Sequence, residues 1–123
     1  LLAIALPAAG CGGAETAEPL PDTVQGTIQQ DTLPPGDTEA GGTVFEEQNC
    51  GSCHTYGPAG SQAEVGPNLD ESLQGQDTEY IRTAIVAPDA EIAEGFQPGI
   101  MPKTYGEDLD DQQIADLVAF LQQ

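Results

Sequence analysis

The sequence has no tryptophan, one histidine (His54), one methionine (Met101) and only two basic residues, Arg82 and Lys103. Against these stand 21 acidic residues, for a formal net charge of -19. A chain so poor in cations is repelled by phosphate, which excludes nucleic-acid binding and electrostatic docking on anionic lipid heads. Long apolar runs are missing too. The stretch 1–10 is apolar, but a helix needs ~20 such residues to span a bilayer. No sustained period-two alternation appears, so strands are not expected and the α/β framework of a thioredoxin-like dithiol is lacking. Aromatics are few, with three Phe and three Tyr. A rear portion of roughly 80 residues is a marginal length for a core built from side chains alone. The composition leaves room for a covalently held cofactor that supplies apolar contact.

What is present divides the chain in three. Residues 1–10, Leu-Leu-Ala-Ile-Ala-Leu-Pro-Ala-Ala-Gly, read as the end of an export signal: an apolar run closing in small residues. Ala8-Ala9-Gly10-Cys11 resembles a bacterial lipoprotein box, with Ala8 where Leu is common. That resemblance makes Cys11 the lipid-bearing first residue of the mature chain and a membrane anchor. Two other readings stand beside it: an ordinary cleaved signal with an incidental cysteine, and the tail of a longer hydrophobic segment. Residues 11–40, rich in Gly, Pro, Thr and acids and containing Pro34-Pro35-Gly36, read as a flexible acidic linker.

The rear, 41–123, turns helical, and its expected class is all-α. A first helix is expected after Gly41-Gly42, with Thr43 as N-cap and Glu46 completing a capping box. Thr78–Val86 follows Asp77 as cap, carries Tyr80, Ile81, Ala84 and Ile85 on one stripe, and ends before Pro88. The last helix opens with Asp110 and Gln113 in capping-box spacing, and Ile114, Leu117, Val118 and Leu121 share a face. Loops are expected around 57–68 and 95–106.

Cys50-Gly51-Ser52-Cys53-His54 is Cys-x-x-Cys-His, the attachment pattern of haem c. Two thiols add across the two vinyl groups of the porphyrin, and the adjacent imidazole is aimed at its iron. A zinc site would use the same three side chains but lacks a fourth ligand of its usual type. A disulfide between Cys50 and Cys53 would close a very short, strained loop. A sixth iron ligand is supplied by Met101, in Gly99-Ile100-Met101-Pro102, or else that position stays open. Thioether ligation raises the reduction potential, and filling both axial positions leaves no place for a substrate.

In its order of motifs the chain resembles class I c-type cytochromes. Cys-x-x-Cys-His is followed by Gly66-Pro67-Asn68-Leu69, then Gly-x-Met-Pro, then an amphipathic C-terminal helix. Gly41 and Phe45 match the family's Gly-x-x-x-Phe on the first helix, and Phe120 matches the aromatic position of the last, which that helix crosses. The resemblance implies one covalent haem c on Cys50 and Cys53, with iron held by His54 and Met101. It further implies that the Pro67 carbonyl accepts from His54 Nδ1–H, and that Leu69, Ile81 and Ile85 pack on the haem. Tyr80 and Tyr105 are candidates for a propionate contact, with an ordinary tyrosine environment as the alternative.

The implied function is one-electron transfer outside the cytoplasm in a respiratory chain, with no small-molecule substrate and no catalytic residue. The protein is expected as a tethered carrier or as a subunit of a terminal oxidase or quinol-oxidising complex. Other readings are a haem enzyme or gas-binding sensor with an open sixth position, and a passive haem-bearing subunit. Family members of the mitochondrial type ring the haem edge with lysines, whereas this chain has almost none. Docking therefore calls for a basic face on the partner. The acidity serves solubility or high salt in the other reading.

Overall fold

The computed structural model describes residues 32–123, so the expected signal, the linker up to residue 31 and Cys11 lie outside the described residues. Helix α1 spans Thr38–Glu47 and a 3-10 turn covers Cys50–Ser52. A small antiparallel hairpin pairs β1 (Thr55–Tyr56) with β2 (Ser61–Gln62). Helices α2 (Leu69–Ser72), α3 (Thr78–Val86), α4 (Tyr105–Asp108) and α5 (Asp111–Leu121) complete the order. The class is helical, as expected, with β2 falling inside the expected 57–68 loop.

Helix α5 is the axis of the molecule. Its capping box is complete: Gln113 N donates to Asp110 Oδ1 at 2.8 Å, and Asp110 N donates to Gln113 Oε1 at 3.0 Å. The Ile114, Leu117, Val118 and Leu121 stripe is buried, each side chain contributing about 1.5–3 kcal/mol by leaving water. Helix α3 is also as expected, with Asp77 capping Tyr80 N at 2.8 Å and the chain turning out at Ala87 before Pro88.

Helix α1 corrects the sequence reading. It starts at Thr38, capped by Asp37, whose Oδ1 accepts from Ala40 N at 2.8 Å. Thr43 lies inside the helix, its hydroxyl turned to the Glu39 carbonyl at 3.4 Å. The folded body also begins ahead of Gly41. Leu33 packs on the core, Pro35 O accepts from Gln112 Nε2 at 2.9 Å, and Asp37 N donates to the buried Asp116 carboxylate at 2.7 Å. Two glycines inside a helix cost about 1 kcal/mol each relative to alanine. Here they permit contact instead: a Cβ on Gly41 would meet the Asp116 carbonyl and lie 2.7 Å from Phe120 Cβ.

That close approach brings Phe45 of α1 and Phe120 of α5 to a centroid separation of 5.5 Å. Tyr56 of β1 closes the group, 5.8 Å from Phe45 and edge-on to Phe120 at 5.4 Å. The hairpin thus contributes a core residue, and the segment joining α1 to it is fixed against α5. No helix among the described residues is long and apolar enough to cross a membrane.

Candidate functional site

The Cys-x-x-Cys-His segment is shaped by its backbone. Asn49 takes a left-handed conformation (φ 56), which ends α1 and swings the chain into the 3-10 turn. Asparagine tolerates that region better than most side chains. Cys53 N and His54 N both donate to the Cys50 carbonyl, at 3.2 and 3.0 Å. Both cysteines are free thiols, so the disulfide alternative is not adopted. Burial pushes the unattached Cys50 thiol up to about 11.

His54 is fixed from a second segment. Gly66 N donates to Cys53 O at 2.7 Å, and His54 Nδ1 donates to Pro67 O at 2.7 Å. A carbonyl can only accept, so the proton is on Nδ1 and Nε2 keeps its lone pair for a metal. Gly66 makes the fit possible: a Cβ there would lie 2.5–3.0 Å from three atoms of the imidazole. Asn68 then caps α2 through Asp70 N at 2.9 Å, which places Leu69 on the first turn.

One cleft collects these groups. Cys50, Cys53, His54 and Pro67 line it, and so does Met101 from the 87–104 segment. Leu69, Ile81 and Ile85 supply apolar wall. Every described residue expected at the site opens onto this cleft. Tyr80 and Tyr105 line it as well. Burial raises the Tyr105 pKa above its ordinary value. Phe45, Leu117 and Leu121 also contribute wall. The sequence showed them only as core positions, because a core stripe and a cofactor wall carry the same pattern. Asp89, also on the rim, belongs to no motif of the sequence.

The donor set suits a porphyrin. Two thiols, an imidazole with a free Nε2 and a thioether face an apolar cleft, while no group of three or more His, Cys, Asp or Glu among the described residues is placed to hold a metal ion by itself. The zinc alternative lacks its ligand cluster there. A ring system attached through sulfur at 50 and 53 would present its metal to His54 and would need apolar walls, which Ile81, Ile85 and Leu69 provide.

Comparison with known proteins agrees with this geometry. The family model for cytochrome c matches residues 38–123, starting where α1 starts. Among solved structures the chain is similar to the c-type cytochrome SorU from Sinorhizobium meliloti, with 32% identity and a TM-score of 0.50. That match covers 68% of this chain and 85% of SorU. Among curated protein sequences none matches.

Proposed function

This chain belongs to the cytochrome c family, whose members carry covalent haem c and transfer electrons through it, and from that premise we propose that it is a one-electron carrier of an extracytoplasmic respiratory chain. The observation that carries the reading is the convergence of Cys50, Cys53 and His54 from one segment and Met101 from another on one apolar cleft. Haem c supplies an iron centre that alternates between ferrous and ferric, so an electron enters and leaves with no bond changed in a substrate.

The residues divide the work. Cys50 and Cys53 would hold the group by thioether bonds, which would keep it from dissociating. His54 would give Nε2 to the metal, and the Pro67 carbonyl, by polarising the ring, would strengthen that donation. Met101 would offer the metal a weaker thioether, a ligand type that favours the reduced state. Ile81, Ile85 and Leu69 keep water from the site and hold its dielectric low. With His54 and Met101 both available to hold the metal, the site would suit electron transfer rather than catalysis or gas binding.

Members of this family are typically exported, in keeping with the signal-like stretch 1–10. Acylation of Cys11 would make the chain a tethered carrier or a bound subunit of a terminal oxidase or quinol-oxidising complex. Its partners would dock through basic faces. In support, both cations of the chain are already matched with acids: Arg82 with Glu79 at 3.6 Å, and Lys103 with Asp89.

Spectroscopy of the matured protein tests the reading. Colour should survive acid–acetone extraction, dithionite should sharpen the visible bands, and Met101→Ala should lower the reduction potential and admit imidazole. Extractable colour, or a Met101→Ala variant indistinguishable from the parent, would overturn it. The second result would favour an enzyme or sensor with an open position. Mass measurement of the same material weighs the porphyrin adduct and any lipid on Cys11.

A further inference from the structure

Met101 sits in an irregular segment: from Ala87 to Thr104 the chain forms no helix or strand. Within it, Ala90 N donates to Ala87 O at 2.9 Å and Phe96 N to Ala93 O at 3.1 Å, both well ahead of the methionine. Closer to Met101, two polar contacts end on one carboxylate. Gly99 N donates to Asp89 Oδ1 at 2.8 Å, and Lys103 Nζ pairs with Asp89 Oδ2. Gly99 and Lys103 flank Met101 by two residues on either side. Asp89 itself stands three residues beyond the end of α3, the helix that carries Ile81 and Ile85 into the cleft. We propose that Asp89 is the positioning residue for the second axial ligand, pinning both sides of the Met101 turn to the end of α3. This rests on the reading of Met101 as that ligand.

The physical reason lies in the weakness of a thioether. It is neutral and bound by a single atom, so its occupancy depends on how much of the time the turn already presents it. A ligand whose competent conformation is only partly populated binds with an affinity reduced by that fraction. Gly99 has φ 78, a left-handed turn that glycine enters freely and also leaves freely. Tying the turn at two points to one carboxylate meets the ordering cost during folding rather than during ligation. Asp89 is suited to this because its carboxyl is held below the ordinary range, first by Lys103 and then by the Gly99 N–H, and so stays ionised. One of the two cations in the chain is committed to this contact.

The test measures imidazole binding to the ferric, matured protein, alongside the thioether-to-iron absorption band and the melting temperature. Measured well above the imidazolium pKa, imidazole is neutral, so removing a charge at the rim does not by itself alter its approach. Asp89→Ala should raise apparent imidazole affinity roughly 3- to 10-fold, the range that loss of hydrogen bonds of this kind produces, and weaken the band. Asp89→Asn keeps an acceptor for Gly99 N and loses the ion pair, so it should fall between. In a Met101→Ala background the Asp89 substitution should have no further effect, because the group it positions is gone.

Parental imidazole affinity in both Asp89 variants would overturn the proposal, even if melting temperature fell. So would an equal effect of Asp89→Ala with and without Met101. If the parent protein lacks the thioether band and binds imidazole as tightly as Met101→Ala, the ligand assignment itself fails. That result differs from failure of the positioning role alone, in which the parent keeps its band.

Discussion

The Tyr56 hydroxyl donates to the carbonyl of Phe120 at 2.7 Å, joining the hairpin to the last turn of α5 across 64 residues of sequence. Both side chains are buried. The bond therefore sits where a lost partner is not replaced by water. The same carbonyl also accepts from Gln123 Nε2 at 3.0 Å, so it keeps one partner if the phenol goes. Tyr56→Phe should cost about 1 kcal/mol in denaturant unfolding, toward the middle of the usual range for a neutral hydrogen bond. The pH dependence has a definite sign. Burial, then the nearby Asp70 charge, raises the Tyr56 pKa above 10.0. The unfolded chain thus loses this proton first. The contribution of Tyr56 is complete below pH 10 and is lost as pH rises through the folded value. Tyr56→Phe should flatten that alkaline loss. An equally steep decline in the variant would place its cause elsewhere.

Gly41 and Gly42 are neighbours in α1 with opposite tolerance. A Cβ on Gly41 would run into the Asp116 backbone, which cannot retreat without breaking α5. A Cβ on Gly42 would stand 3.3 Å from Phe120 Cε2, at the edge of a ring that can tilt. Gly41→Ala should destabilise by about 3 kcal/mol, the upper end for overpacking. Gly42→Ala should lie near neutral, since alanine's helix propensity offsets a small steric cost. Comparable melting temperatures for the two variants would show that α1 does not depend on close approach at Gly41.

These particular residues also show why some of the molecule was legible before its structure and some was not. Asp110 with Gln113, and Asp77 ahead of its apolar stripe, are local signals, and both helices formed where those signals lie. Cys50, Cys53 and His54 are fixed by covalent chemistry, so five residues of sequence carry their meaning. The start of α1 lies ahead of the one a good local box, Thr43 with Glu46, marks, because Asp37 competes with it. Asp37 prevails through contacts that no local pattern contains: its N–H on Asp116, and Gly36 and Gly41 against the α5 backbone. Short helices α2 and α4 hold too few residues for a period to register. Asp89 was invisible for a related reason, since its partners lie 10 and 14 residues further along an irregular segment.

Charge supplies the last test. With 21 acids against two bases, and both bases matched to acids, the field at the surface is negative. A negative field speeds encounter with a basic face and is screened over about 8 Å at physiological ionic strength. Stopped-flow reduction by a basic redox protein should therefore slow several-fold between 20 mM and 500 mM salt, while an acidic donor should speed up as repulsion is screened. The opposite slopes matter more than either rate, because a general effect of salt on the iron site would move both donors alike. Rates indifferent to salt with both donors would leave the acidity to solubility and remove electrostatics from partner choice. Acidic residues near the rim are then of interest in pairs. Glu91 lines the cleft, and Glu91→Gln should reduce the salt slope with the basic donor without altering imidazole binding, whereas Asp89→Asn should alter both.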